Sequence, residues 1–375
     1  MPAHYFDSFT SVGQFKGPNV RRISQLPMAP ASGWRRDHLL VCRVTVRQTR
    51  PYILPILDQY SESSGATSPV EIRNFVNGPE SGKHLQKIEH RLVRDFGYSI
   101  SLAQTWAALA AFKGDRDAQR THQSNGPSNS NDGSHYEESN ADSDVSMDTE
   151  SDGDIASSSP QAESSHSASS TGYIENAEHQ LRITVEDDTL RLASCVIRHI
   201  LYFGAPQDQP NMSGVVEFRD AKLRSFQLPR LLEEPMKATN DGGLCLRTKN
   251  RNNDFKLEND RVAILEAKRR FQWLGEGKPT ISDECLAQMT CEALLARLVG
   301  SDPRESVIVI HATQHYLCFL QFEISDEYIR NFGSDSLSSF IHVTATPWYD
   351  LGSESNRKQI VLNLCAIMRW GGAKR

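Results

Sequence analysis

From Gly114 to Gly172 the chain is dominated by Ser, Asn, Asp, Glu and Gly, with too few apolar side chains to offset the entropy of ordering the backbone. Such a segment is predicted to be a disordered acidic Ser-rich linker. It divides the foldable sequence into a stretch over 29–113 and a longer one over 173–371, with residues 1–28 expected as a loose polar tail. The linker holds twelve acids and two bases, a net charge of −10, so within a whole-chain charge of −6 the remainder carries +4. A mildly basic remainder permits a nucleic-acid partner without requiring one. Ser139, Thr149 and Ser151 each precede an acid by three residues. Acidophilic kinases favour that pattern, although any acidic Ser-rich stretch generates it. A protein partner held through this linker is therefore one expectation.

Seven cysteines are scattered, mostly inside apolar runs, with no C-x-x-C pair. Cysteine in that setting behaves as a small hydrophobe, which points to a reducing compartment and away from structural zinc. No apolar run has the length of a bilayer span, and the first 25 residues lack the apolar core of a signal peptide. An intracellular location, nuclear or cytoplasmic, and no membrane partner are expected.

In the first stretch, His38 to Val46 reads as a strand, rich in β-branched residues. Pro51 to Tyr60 reads as a short helix interrupted by Pro55. Lys83 to Lys113 has helical spacing, broken into two helices at Gly97. In the second stretch, Leu190 to Phe203 places Ala193, Val196, Ile197, Ile200 and Leu201 on one helical face. Strands are predicted over Gly214–Phe226, Leu244–Arg247 and Val262–Phe271, with a polar turn from Lys249 to Asp260. Ser282 is a candidate N-cap, with Asp283 and Glu284 in the first turn, for a helix to about Leu298. Two strands joined by a tight turn, Val307–Ala312 and Tyr316–Ile324, and a helix over Ser353–Trp370 complete the pattern.

The chemistry concentrates in the strand Val262 to Arg270. Period-two alternation turns Glu266 and Lys268 to one face beside Ile264. A carboxylate and an ammonium leaving an apolar strand together need each other, a metal, or a polar cleft open to water, because either charge buried alone is costly. Upstream, Asn240-Asp241-Gly242-Gly243 precedes the next strand. A hairpin there brings Asp241 toward Glu266, and the glycines allow close backbone approach. Two carboxylates and the Ala267 carbonyl make a hard oxygen site suited to Mg²⁺. Lys268 would there orient or deprotonate an attacking water, or balance charge growing on a phosphate. The plainer readings are a structural ion pair for Glu266 and Lys268, and an ordinary Asp-Gly turn for Asp241.

The order Asp241, then Glu266-Ala267-Lys268, then a helix bearing Gln288 resembles the PD-(D/E)xK nuclease superfamily. More closely it is similar to fungal nuclease-like proteins with an Asp-Gly-Gly turn followed by a Leu-Glu-Ala-Lys strand. The resemblance covers about Tyr173 to Trp370, and more faintly Gly33 to Val46. It implies an α/β fold with a restriction-endonuclease-like α-β-β-β-α-β core and metal-dependent phosphodiester hydrolysis. It also implies that Asp241 and Glu266 are metal ligands, Lys268 is the catalytic lysine, and Gln288 is the helical Gln of the exonuclease branch. Glu292 stands one turn on, where that branch often has Tyr, and Glu186 is the candidate for an acid from the first helix. No Pro precedes Asp241. On helical spacing alone, Gln288 and Glu292 read as a solvated face.

Other chemistry is thin. His311 and His315 flank the turn at Thr313-Gln314, and two histidines without further ligands favour a structural role. Trp348 reads as packing. Arg269 faces away from Lys268 and, with Arg270, suits a solvated rim that contacts phosphate at most. Lys222, Arg224 and Arg230 form a sparse basic set. No G-x-S-x-G, Walker or G-x-G-x-x-G element occurs. The leading expectation is Mg²⁺-dependent cleavage of DNA or RNA. The alternatives are a catalytically inactive nuclease-like module that binds protein or nucleic acid, and an interaction protein regulated by phosphorylation of the linker.

Overall fold

The computed structural model describes residues 4–15, 23–27, 29–61, 68–79, 87–123, 186–209, 212–269, 271, 273–275, 278–300, 302–334 and 337–373. The expected linker therefore lies outside the described residues from 124 onward, as does Arg270. Among the described residues no helix is long and apolar enough to cross a membrane.

The N-terminal part contributes α1 (Tyr5–Ser8), α2 (Arg36–Val41), β1 (Val44–Val46), α3 (Val70–Asn77), α4 (Glu89–Phe96) and α5 (Ile100–Gln123). The second part adds α6 (Glu186–Phe203), β2 (Gly214–Arg219), β3 (Leu223–Gln227), β4 (Met236–Asn240), β5 (Gly242–Lys249), β6 (Phe255–Lys268), β7 (Trp273–Gly275) and β8 (Lys278–Thr280). It continues with α7 (Asp283–Val299), β9 (Ser306–Thr313), β10 (Tyr316–Glu323), α8 (Asp326–Asn331), β11 (Ile341–Ala345), β12 (Tyr349–Asp350) and α9 (Glu354–Gly372).

The architecture is mixed α/β around one central sheet in the order β1-β11-β10-β9-β6-β5-β2, with β12 added to β10. The strands β2, β5 and β6 form an antiparallel meander, and α7 then crosses over to β9, which pairs parallel with β6. At the far edge β1 runs parallel to β11, so the N-terminal segment is built into the sheet. Helices α6 and α9 cover one face, packed on Ala263, Leu265 and Ala267 of β6. Helix α7 and the β3–β4 hairpin cover the other, packed with Ile264.

Several expectations are corrected. The first 28 residues are not simply a loose tail. Tyr5 is buried, its hydroxyl donates to the Leu39 and Val44 carbonyls, and Phe9 stacks on its ring. His38 to Val46 divides into α2 and the three-residue β1, because the His38 side chain accepts from the Arg35 backbone at 3.1 Å and caps a helical turn. The interrupted helix at Pro51–Tyr60 is a 3₁₀ turn that starts on Pro55. Gly97 separates α4 from α5 as expected, in the left-handed conformation, but α5 runs on to Gln123, ten residues beyond Lys113 and into the segment read as linker. Gly214–Phe226 is two strands in two sheets. β5 and β6 are longer than expected, meeting across a turn confined to 250–254. The Asp241-Gly242 step is not a hairpin turn, since the chain there leaves the β3–β4 hairpin to enter the main sheet.

Candidate active site

Asp241 sits at the switch from β4 to β5. Its backbone N–H donates to the Leu265 carbonyl at 3.2 Å, and its Oδ2 accepts from the Ala267 N–H at 3.0 Å, so its carboxylate lies alongside Glu266. Gly243 makes this approach possible, since a Cβ there would stand 2.4 Å from the Ala263 carbonyl oxygen. The expected meeting of the two acids is thus present, produced by the β5–β6 pairing rather than by a turn.

Glu266 and Lys268 share the face toward α7. Lys268 Nζ lies 2.6 Å from Glu266 Oε1 and donates to Gln288 Oε1 at 2.9 Å. Gln288 Nε2 donates to Glu266 Oε1 at 2.6 Å and to Glu292 Oε1 at 3.0 Å. Gln288 therefore spans the lysine and both glutamates. Glu266 Oε2 and Glu292 Oε2 are buried and accept no hydrogen bond from any described residue.

The pair Gln288 and Glu292 is not a solvated face. Each is 3 % exposed, because α7 is buried at every residue from Cys285 to Ala296. The sheet lies on one side of it. The β3–β4 hairpin, α2 and the N-terminal segment lie on the other, tied by Tyr5 N–H to Asp283 at 2.7 Å and by Arg36 to Asp283 at 2.8 Å. A helix covered all round carries no amphipathic signal, and a polar residue on it must find an internal partner. Ser282 caps it as expected, its Oγ accepting from the Cys285 N–H at 3.1 Å.

The expected cleft open to water is likewise not found at these atoms. Asp241 is 1 % exposed, Glu266 0 % and Lys268 4 %. The residue that joins them to solvent is one the sequence shows only as part of a sparse basic set. Lys222 Nζ lies 3.0 Å from Asp241 Oδ1 as an ion pair, with half of its side chain exposed. Glu186, first residue of α6, acts electrostatically on Glu266, Lys268 and Lys222, which places it near the cluster.

Burial pushes the Glu266 carboxyl up to about 7, with Lys268 opposing and Asp241 adding to the rise. Burial, then the adjacent Glu266, holds the Glu292 carboxyl well above the usual range. Burial draws Lys268 down, but Glu266 more than offsets it, so the lysine stays an ammonium and Glu266 is the member of the pair that titrates near neutrality. His311, opposite Glu266 across β6–β9, donates from Nδ1 to the Glu266 carbonyl at 3.1 Å and packs on Trp348. Burial lowers it to about 4, so it is a neutral structural residue. His315 faces Asp350 at 3.5 Å, apart from this cluster, and Arg269 is exposed.

A carboxyl whose folded pKa exceeds its ordinary value stabilises the fold below that ordinary value, and the stability is lost as pH rises to the folded one. Glu292→Gln therefore melts with the parent at about pH 4 and above it in alkaline solution, where the parent must ionise a buried group. Thermal melts across that range check this, and equal losses in both proteins would exclude a buried titrating Glu292.

Among the described residues no group of three or more His, Cys, Asp or Glu is arranged to hold a metal. Two carboxylates suffice for Mg²⁺, which keeps much of its water shell. Asp241 and Glu266 fit it: both are hard oxygen donors, Glu266 Oε2 is unpartnered, and the buried acids here outnumber the buried lysine. No family model matches the chain, and no curated protein matches it.

Proposed function

We propose that this protein is a Mg²⁺-dependent nuclease of the PD-(D/E)xK type, hydrolysing phosphodiester bonds in DNA or RNA. The observation that carries the reading is the buried cluster in which Glu266 joins Lys268 and Gln288 while Asp241, at the step from β4 to β5, is bonded to the backbone of the next residue, Ala267. The order α6, β2, β5, β6, α7, β9 supports it, since it follows the α-β-β-β-α-β core of restriction-endonuclease-like folds.

Asp241 and Glu266 would hold the cation, which when bound supplies Lewis-acid polarisation of the scissile phosphate. Lys268 Nζ, kept protonated by Glu266, offers a fixed positive charge for negative charge growing on phosphate oxygens. Gln288 fixes that ammonium from the α7 side. The ordering of this cluster by hydrogen bonds supplies its preorganisation, so little rearrangement is needed when charge develops.

The test is cleavage of labelled single- and double-stranded DNA and RNA with Mg²⁺ and with EDTA. Cleavage is expected with Mg²⁺ alone and lost in Glu266→Gln. Metal binding requires the Glu266 carboxylate, so with its pKa near 7 the rate should rise with pH at a slope of about one below that value and level above it. A flat profile between pH about 5.5 and 8 would remove Glu266 from the metal site.

A second reading is a catalytically inactive nuclease-like module that binds nucleic acid or protein. The burial of Glu266 and Lys268, with Lys222 standing on Asp241, favours it. Such a module binds equally well in EDTA and cuts nothing.

A further inference from the structure

The β3–β4 hairpin projects from the acidic centre. Its open end pairs Leu223 with Asn240, the residue before Asp241, and its far end pairs Gln227 with Met236. One face is buried: Ser225, Met236 and Ala238 turn inward, and the hairpin packs on α7. The other face is exposed. Lys222, Arg224, Phe226 and Leu228 follow one another along it at period two. Lys237 stands directly opposite Phe226, and Thr239 opposite Arg224.

The outer face thus carries three cations and one free aromatic ring. Neither strand contains an acid. Phe226 is 61 % exposed, and the Lys237 ammonium lies 5.9 Å from its ring centroid. Phe226 stands one residue from the end of β3 with most of its side chain in solvent, beside the Lys237 ammonium. From Lys222 to Phe226 the ribbon spans about 13 Å at the usual strand rise. Lys222 at its inner end touches Asp241, so the ribbon ends at the acids proposed to do the cutting.

We propose that the outer face of the β3–β4 hairpin binds single-stranded nucleic acid, with Phe226 stacking on an unpaired base and Arg224, Lys237 and Lys222 following the phosphates toward Asp241. The choice of single strand rests on Phe226. An exposed ring that stacks on a base needs that base unpaired, which the interior of a duplex does not offer, whereas cations alone would suit either form. The mild charge of +4 outside the acidic segment also disfavours reliance on wide contact with duplex phosphates. This inference takes the acidic centre as the strand's destination and so rests on the proposed nuclease reading.

The experiment uses the full chain carrying Glu266→Gln, in EDTA, with a fluorescein-labelled oligothymidylate followed by anisotropy. Binding is expected to be tighter than to a duplex of the same length. Phe226→Ala and Phe226→Leu should each weaken it by about tenfold, since leucine keeps apolar area but has no π face. Arg224→Glu with Lys237→Glu should weaken it further and reduce the salt slope by about 0.7 for each cation lost. Duplex binding as tight as single strand, parental affinity in either Phe226 variant, or equal displacement by polyglutamate of matched charge would each overturn the inference. Cleavage by the unmodified chain with Mg²⁺ is read separately. Loss of the ribbon effects with cleavage intact defeats this inference alone, and single-strand binding without cleavage defeats only the hydrolytic reading.

Discussion

Lys268→Met should slow cleavage sharply and, more tellingly, destabilise the protein in a way that depends on pH. Removing one member of a buried ion pair usually costs about 3–5 kcal/mol, because the remaining charge is left without compensation. Here Lys268 Nζ serves both Glu266 and Gln288, so its loss strips two acceptors. Glu266, however, can take up a proton. The Lys268 pKa is raised, so its contribution is complete below the ordinary lysine value and constant across the working range. The pH dependence therefore comes from Glu266. Without the ammonium the Glu266 pKa climbs beyond about 7, and the variant loses stability more steeply than the parent as pH rises. Urea unfolding should show the full loss near pH 8 and a much smaller one near pH 5.5, where Glu266 is neutral in the variant. Adding Glu266→Gln should restore much of the stability at the higher pH, because no buried charge is then left alone. Activity should fall by about 10²–10³, the usual effect of losing one preorganised charge at a phosphoryl centre, and should not return in the double variant. Equal unfolding of Lys268→Met and the parent near pH 8 would mean that the buried pair is not formed.

The legibility of this site in the sequence follows from what each signal depends on. Period two in a strand is local, so the shared face of Glu266 and Lys268 was readable from the triplet alone, and their pairing across to Gln288 agrees with it. The apolar stripe of α6 and the Ser282 cap of α7 were readable for the same reason. What failed was anything set by a remote segment. Gln288 and Glu292 look solvated on a helical wheel, and they are buried because residues from the first 46 positions and the β3–β4 hairpin cover α7. The bond from Tyr5 to Asp283 joins residues 278 positions apart, and no local pattern in a polar N-terminal segment announces it. β4 carries Lys, Thr and Asn among five residues and shows as a strand only through its pairing with β3. Lys222 was visible as a base, but its place on Asp241 depends on the chain turning between β2 and β3, which one strand drawn from Gly214 to Phe226 conceals. The one available clue was Asp220-Ala221-Lys222, a polar break in an otherwise alternating run.

Lys222→Met should raise the affinity for a divalent cation. The Lys222 ammonium stands 3.0 Å from Asp241 Oδ1, the oxygen left over after Oδ2 accepts from Ala267. A cation on that carboxylate must either displace the ammonium or share the oxygen with it. Two unit charges about 4 Å apart repel by about 1 kcal/mol in water, and a doubly charged ion doubles this to about 2 kcal/mol. Half of the Lys222 side chain is in solvent, so the aqueous figure is the appropriate one. The variant should bind Mn²⁺, a paramagnetic stand-in for Mg²⁺, about 10- to 100-fold more tightly, as read from the free-ion resonance signal. Glu266→Gln should weaken the same binding, which shows that both acids share one ion. Oligothymidylate added to the parent should also tighten it, because a phosphate that draws Lys222 away frees Asp241 Oδ1. Unchanged or weaker Mn²⁺ binding in Lys222→Met would place the ion elsewhere and remove Asp241 from the metal site. Tighter binding with no cleavage in either protein would favour the binding module, with Lys222 as a built-in replacement for the metal. Tighter binding with slower cleavage would give Lys222 two successive partners, the carboxylate before substrate arrives and the phosphate afterwards.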